Sequence, residues 1–145
     1  MRTFDTYKHN LLRFGALAFA LAVLVAPAAA QIQTPFEVHV PFAFAAGKVQ
    51  MPAGDYRVNR QGTNILILRN ADTSDAVILP TAALDVDSTV ERAALVFNRY
   101  DGKYFLSQVR SFDGTQTYKL APSKEERQLA TIDAPTLVAV HTRVR

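Results

Sequence analysis

The alternation of apolar and polar residues over positions 36–44 constrains the fold of this chain more than any other feature. In the segment FEVHVPFAF, every second residue is a large apolar one: Phe36, Val38, Val40, Phe42 and Phe44. Successive side chains of a β-strand point to opposite faces, so a period of two over nine residues predicts a strand with one buried face. Pro41 cannot donate a hydrogen bond to a neighbouring strand, which predicts a sheet edge or a bulge at that position.

Further strands are predicted downstream. The segments NILILR (64–69) and AVILP (76–80) are apolar at both odd and even positions, which is typical of strands that are buried on both faces. The segment NADTSD between them has the short polar side chains that hydrogen-bond to their own backbone in loops.

The segment AALVFNRYDGKYFLSQVRSF predicts a β-hairpin. Asp101-Gly102 is a preferred two-residue turn, because both central positions of such a turn have a positive φ. The turn pairs Tyr100 with Lys103. It places Leu95, Phe97 and Leu106 on one face and puts Val96, Asn98, Phe105, Ser107 and Val109 on the other.

One helix is predicted within PSKEERQLA, with Ser123 as its N-cap and Glu126 completing a capping box. The predicted strands do not alternate with helices, as they would in a chain of βαβ units. The chain is therefore expected to be all-β: an antiparallel β-sandwich or a small closed barrel of seven to eight short strands with one short C-terminal helix.

The N-terminal 30 residues have the features of a cleavable signal peptide. A basic opening with Arg2, Lys8 and Arg13 precedes the apolar run FGALAFALAVLVA, and Ala28-Ala29-Ala30 supplies small residues for cleavage. We expect residues 1–30 to be removed and residues 31–145 to form a single β domain. The protein is then exported, periplasmic or extracellular, with no membrane span after cleavage.

Composition excludes several classes of function. The chain has no cysteine, which rules out disulfides, thiolate metal sites and a cysteine nucleophile. Residues 31–145 contain 13 Lys and Arg against 12 Asp and Glu, so the net charge of +3 for the whole chain resides mostly in the signal segment. A nucleic-acid partner is not expected, because the basic residues are scattered rather than gathered on one face.

The segment MPAGDY (51–56) is interpreted as a turn. Pro52 presets φ near −65° and Gly54 allows a positive φ, which together suit a tight turn into a strand. Met51 is then free to pack as an apolar cover. Tyr56 is expected to bury its ring and leave its hydroxyl at a wet edge.

Two surfaces are candidates for contact with a ligand or partner. The first is the basic and aromatic hairpin tip, with Arg99, Tyr100, Lys103 and Tyr104, and the second is the turn with Met51 and Tyr56. An internal cation–π pair of Arg99 with Tyr104 is the preferred alternative for the hairpin.

Catalytic and metal sites are not predicted. No Gly-x-Ser-x-Gly elbow is present. Glu37, His39 and His141 would meet at a metal only if the first and last strands pair. We expect no cofactor, no metal and no enzymatic activity. The expected function is an exported binding or envelope-structural module whose partner is an unknown envelope protein or small ligand; the alternatives are a small barrel that binds an apolar ligand and a secreted hydrolase.

Three segments, AGKVQMPAGDYRV, RYDGKYFLSQV and SKEERQLA, together resemble a group of short exported proteins common in acidobacterial genomes. Members typically read Leu-Pro-x-Gly-x-Tyr after the first strand and Ser-x-x-Glu-Arg near the end. Met51 stands where Leu is usual, which keeps an apolar side chain at that position. The resemblance covers residues 36–130, and it implies an exported β domain without catalytic residues to carry over.

Overall fold

The computed structural model describes residues 35–85, 92–111 and 116–142. All of these residues lie in a compact unit that spans Gln33–Arg145. The predicted signal segment 1–30 lies outside the described residues. The described elements are β1 (Phe36–Val40), β2 (Phe44–Ala46), β3 (Val49–Met51), β4 (Gly54–Gln61), β5 (Ile65–Asn70), β6 (Ala76–Asp85), β7 (Ala94–Tyr100), β8 (Lys103–Arg110), β9 (Gln116–Leu120), α1 (Lys124–Ala130) and β10 (Thr136–His141).

The ten strands form one open sheet in the order β1-β4-β5-β6-β9-β8-β2-β3, with β7 paired to β8 and β10 paired to β7. The pairing of β2 with β8 is parallel, and the other pairings are antiparallel. For the residues that the structure describes, the prediction of a mostly β fold with one short helix is confirmed. The described strands do not close into a barrel, and the predicted number of seven to eight strands is too low.

The strand count is higher because the predicted first strand is divided. Strand β1 ends at Val40, immediately before Pro41, and pairing resumes only at Phe44 in β2. Gly47, at a φ of 62°, and Lys48 then form a two-residue turn that folds β3 back onto β2. A stretch that the sequence presents as one strand and a turn is therefore three short strands.

Strand β6 belongs to two parts of the sheet. Its first half, from Ala76 to Pro80, pairs with β5, and its second half, from Thr81 to Asp85, pairs with β9. The partner changes at a single residue, so β6 joins the β1-β4-β5 part of the sheet to the part that contains β7, β8 and β9.

One hydrophobic core fills the space between these two parts. It contains buried side chains of β1, β4 and β5 together with those of β2, β7, β8 and β9. The Phe44 ring is central, because its centroid lies 5.2 Å from the ring of Tyr56 on β4 and 5.1 Å from the ring of Phe97 on β7. Edge-to-face arrangements of this kind are favourable for aromatic pairs.

The predicted β7–β8 hairpin is confirmed, including its turn and the pairing of Tyr100 with Lys103. Asp101 and Gly102 have φ values of 43° and 80°, as the turn requires. A β-bulge follows Val96, and the Ser107 hydroxyl donates to the Val96 carbonyl at 3.1 Å.

The bulge overturns one prediction about the hairpin. Leu95 is paired with Val109, and both side chains belong to the same core cluster. The expectation that Val109 lies on the opposite face from Leu95 is wrong, because a bulge inserts one residue and reverses which face the following side chains occupy.

The prediction that β5 and β6 are buried on both faces is also wrong. Leu66, Leu68, Val77 and Leu79 face the core, whereas the alternate side chains face outward and Ile78 is 66% exposed. The described residues cover only one face of this part of the sheet. An exposed row of apolar side chains therefore runs over the outer face.

Candidate functional site

Met51 and Tyr56 are buried, with exposed fractions of 3% and 0%. Both belong to the main core, where Tyr56 contacts Phe44. The interpretation of MPAGDY as a turn is confirmed for its backbone, since β3 ends at Met51 and β4 begins at Gly54. The expectation that Met51 is an exposed candidate is wrong, because the apolar side chain at the end of β3 points inward.

The Tyr56 hydroxyl is held at a polar corner of the core, and the expectation that it lies at a wet edge is wrong, because Tyr56 is fully buried. It donates to the carbonyl of Pro52 within the same turn. Burial raises the pKa of the Tyr56 hydroxyl above its ordinary value of 10.0, and a hydrogen bond with Asn70 partly offsets this rise. Gly54 lies beside this corner at a φ of 157°, and a Cβ there would make a tight contact of 3.2 Å with Asn70 Nδ2.

At the hairpin tip, the aromatic and basic side chains contact one another. The Arg99 guanidinium lies 5.8 Å from the centroid of the Tyr104 ring, so the predicted internal cation–π pair is confirmed. The Tyr104 ring in turn stacks on Phe42, with centroids 3.8 Å apart and planes 14° apart. Phe42 meets Phe97 edge to face, which connects this stack to the core.

The other two predicted hairpin residues are also engaged within the chain. Lys103 Nζ donates to Glu125 Oε1 at 2.8 Å, and this contact raises the pKa of the lysine. Tyr100 is buried under the helix with Phe105, Ala45 and Leu129. Among the predicted hairpin residues, Arg99 and Lys103 are the exposed ones, and contact of this surface with a partner remains a prediction.

The helix brings one carboxylate into a buried position. Ser123 is the N-cap as predicted, since its hydroxyl accepts a hydrogen bond from the Glu126 N–H at 3.1 Å. The Glu126 side chain, however, is 4% exposed and accepts from Asn98 Nδ2 at 2.7 Å. It anchors the helix to β7 instead of completing the predicted capping box.

The predicted alternative of a metal site has little geometric support. His39 Nδ1 lies 2.8 Å from Asp55 Oδ1, and Glu37 is bound by Arg57. Strands β1 and β10 pair with β4 and β7, respectively, and not with each other. Within the described ranges, no group of three or more His, Asp or Glu side chains is arranged to hold a metal ion.

A groove that the sequence did not predict lies beside the first half of β6. It encloses about 370 Å³, a volume within the usual range of about 300–1,000 Å³ for ligand pockets. Three segments line it: the β2–β3 turn from residue 46 to 49, β6 from residue 77 to 80, and residues 120–123 between β9 and α1.

The lining of the groove is mainly apolar, and two of its side chains are unusually exposed for their type. Ile78 is 66% exposed and Val49 is 45% exposed. The one charged side chain in the lining is that of Lys48, which makes no ion pair with the described residues. The groove therefore combines apolar walls with a single positive charge.

The groove exists because β9 leaves β6 at that point. Thr81 is the first residue of β6 that pairs with β9, and it lies opposite Leu120, where β9 ends. If β9 continued in register, Ala121 and Pro122 would lie opposite Pro80 and Leu79. Pro80 has no N–H to donate to Ala121, so the ladder stops there and the chain turns into the helix.

The apolar residues of this site are evident in the sequence, but their pattern predicts a buried strand and not a groove. Ile78 and Pro80 lie in a run that is apolar on both faces, and Pro122 lies two residues after the end of β9. The divergence of the two strands is a non-local property, because it depends on the register between β6 and β9.

The helix described in this part of the chain has seven residues, and no described helix is long and apolar enough to cross a membrane. Comparisons with protein-family models, with curated proteins and with solved structures find no match to this chain.

Proposed function

We propose that this chain is an exported, non-enzymatic binding domain that holds an apolar ligand in the groove beside β6. The observation that carries the proposal is the exposure of Ile78 and Val49 on the wall of an apolar groove. Burial of apolar surface is worth about 25 cal/mol of free energy for each Å², and a ligand that covers these side chains would gain this free energy on binding.

The fold supports a binding role because it provides a rigid frame for the groove. The two parts of the sheet pack on one core, and we propose that they form a β-sandwich. The groove lies at the margin of this frame, where β6, the β2–β3 turn and the start of the helix converge. Export is proposed from the features of residues 1–30.

Titration with the fluorescent apolar dye 1-anilinonaphthalene-8-sulfonate tests this proposal. We expect the folded protein to bind the dye. The Ile78→Asp and Val49→Asp variants are expected to weaken binding about tenfold each, because a carboxylate in the wall opposes burial of an apolar group and repels the sulfonate.

Ile132→Asp is the matched control, because Ile132 is 82% exposed and lies outside the groove. This variant should bind the dye as the unmodified protein does, and circular dichroism should show that all three variants are folded. Equal dye affinity in Ile78→Asp and the control would refute the assignment of the groove as the binding site.

A further inference from the structure

We propose that the ligand of the groove is an extended segment of another polypeptide, which adds a strand to the open edge of β6 at Ile78. The segment would carry alternating apolar side chains and an Asp or Glu beside Lys48. This inference rests on the proposed function, since it specifies the class of ligand for the same groove. It follows from three features: the direction of the backbone groups of β6, the space beside them, and the charge in the lining.

The register between β5 and β6 directs the N–H and C=O of Ile78 toward the side of β6 that β5 does not occupy. The Asn70 N–H donates to the Asp75 carbonyl at 2.8 Å, and the Thr81 N–H donates to the Asn64 carbonyl at 2.8 Å. Asp75 and Thr81 therefore bond to the β5 side. Because every second residue of an antiparallel strand bonds to the same neighbour, Val77 and Leu79 also bond to β5. The N–H and C=O of Ile78 then point away from β5, toward the side that β9 has left.

No strand among the described residues occupies that side of Ile78. Strand β6 pairs with β9 only from Thr81 onward, and its pairings are with β5 and β9 alone. Pro80 also presents its backbone to this side, and its carbonyl remains available although it has no N–H. The open edge therefore offers a donor and an acceptor at Ile78 and a further acceptor at Pro80.

These backbone groups favour a peptide over a lipid or a hydrocarbon. A peptide strand supplies both N–H and C=O groups, and main-chain pairing at a sheet edge is an established mode of peptide recognition. Apolar side chains on one face of the added strand would contact Ile78 and Val49 on the groove wall. A ligand without backbone donors would leave the Ile78 carbonyl unpaired after water is displaced.

Lys48 determines the charge of the segment. It is the one charged side chain in the lining, it is exposed, and it makes no ion pair with the described residues. A carboxylate on the bound segment would complete this pair. Because the lysine is exposed, its contribution to affinity is expected to be small and to weaken with added salt.

Fluorescence anisotropy with defined peptides tests the inference on the unmodified protein. The probes are two fluorescein-labelled octapeptides of alternating valine and threonine, each carrying one glutamate, at the first position in one and at the last in the other. Two companions of the tighter probe carry N-methyl groups on either the odd or the even backbone nitrogens. A third companion replaces the glutamate by glutamine.

We expect one N-methylated series to bind at least about tenfold more weakly than the parent peptide, and the other series to bind like the parent. A strand at an edge pairs through alternate residues only, so methylation on the other side is tolerated. Lys48→Ala should weaken the glutamate peptide about two- to fivefold and leave the glutamine peptide unchanged, as an exposed ion pair predicts.

Equal affinity of the parent and both N-methylated peptides would overturn the inference, because binding would then not use the backbone. So would binding of 1-anilinonaphthalene-8-sulfonate without binding of any peptide, which leaves the groove as a site for apolar small molecules. If neither dye nor peptide binds, the proposed function fails together with the inference.

Discussion

Replacement of Thr81 by valine is expected to stabilise the protein. Thr81 lies where β6 changes partner from β5 to β9, and its side chain is 9% exposed. Its hydroxyl oxygen is buried and makes no hydrogen bond to the described residues. Valine has nearly the same shape as threonine, so the substitution removes an unpaired polar group and leaves the packing intact.

The magnitude follows from two contributions. Mutational data place the cost of burying an unpaired hydroxyl at about 1–3 kcal/mol. The added methyl group gains about 0.8 kcal/mol if it is fully buried. Counting little for the methyl group, because its packing is imperfect, we expect the free energy of unfolding to rise by about 1–3 kcal/mol. For a domain of about 100 residues, each kcal/mol shifts Tm by about 4–8 °C.

Urea denaturation, followed by circular dichroism, measures the change, and the m-value should stay constant. Thr73→Val is the matched control, because the Thr73 hydroxyl is exposed and donates to Asp75 Oδ2 at 2.7 Å. This control should lower the stability or leave it unchanged. A loss of stability in Thr81→Val would refute the reasoning, since it would mean that the hydroxyl has a hydrogen-bond partner.

Three further predictions concern the helix and the side chains beneath it. Burial, followed by the negative charge of Glu126, raises the pKa of the Tyr100 hydroxyl above its ordinary value of 10.0. The protonated hydroxyl therefore contributes its full stabilisation below pH 10, and this stabilisation is lost as the pH rises further. Tyr100→Phe should flatten the fall in the free energy of unfolding at alkaline pH. Asn98→Ala should cost about 1.5–3 kcal/mol in urea denaturation by leaving the buried Glu126 carboxylate unpaired, and adding Glu126→Gln should restore part of this loss. Ser123→Ala should cost about 1 kcal/mol by removing the N-cap, whereas Ser123→Asp should retain stability; equal losses in both would contradict the capping role.

The features that could be predicted from sequence are those set by neighbouring residues. The Asp101-Gly102 turn is confirmed because few residue pairs accept a positive φ at both positions. The Ser123 cap is confirmed for a similar reason, since its hydroxyl reaches a backbone N–H only three residues away. Neither feature depends on where the rest of the chain lies.

The features that could not be predicted depend on the register between distant strands. The bulge at Val96 reverses the face of Val109, and nothing in the local alternation marks it. Glu126 has the right spacing for a capping box, but Asn98 on β7 captures its carboxylate instead. The groove is similar, because the exposure of Ile78 depends on where β9 leaves β6.

The pairing of strand β6 also affects how the domain unfolds. Because a single continuous strand pairs with β5 along one half and with β9 along the other, neither half of the sheet can melt without releasing the backbone of its neighbour. We expect one cooperative unfolding transition instead of two. The amide protons of Leu79 and Ala82, which lie on the two sides of the change of partner, should then exchange with solvent at the same free energy of opening.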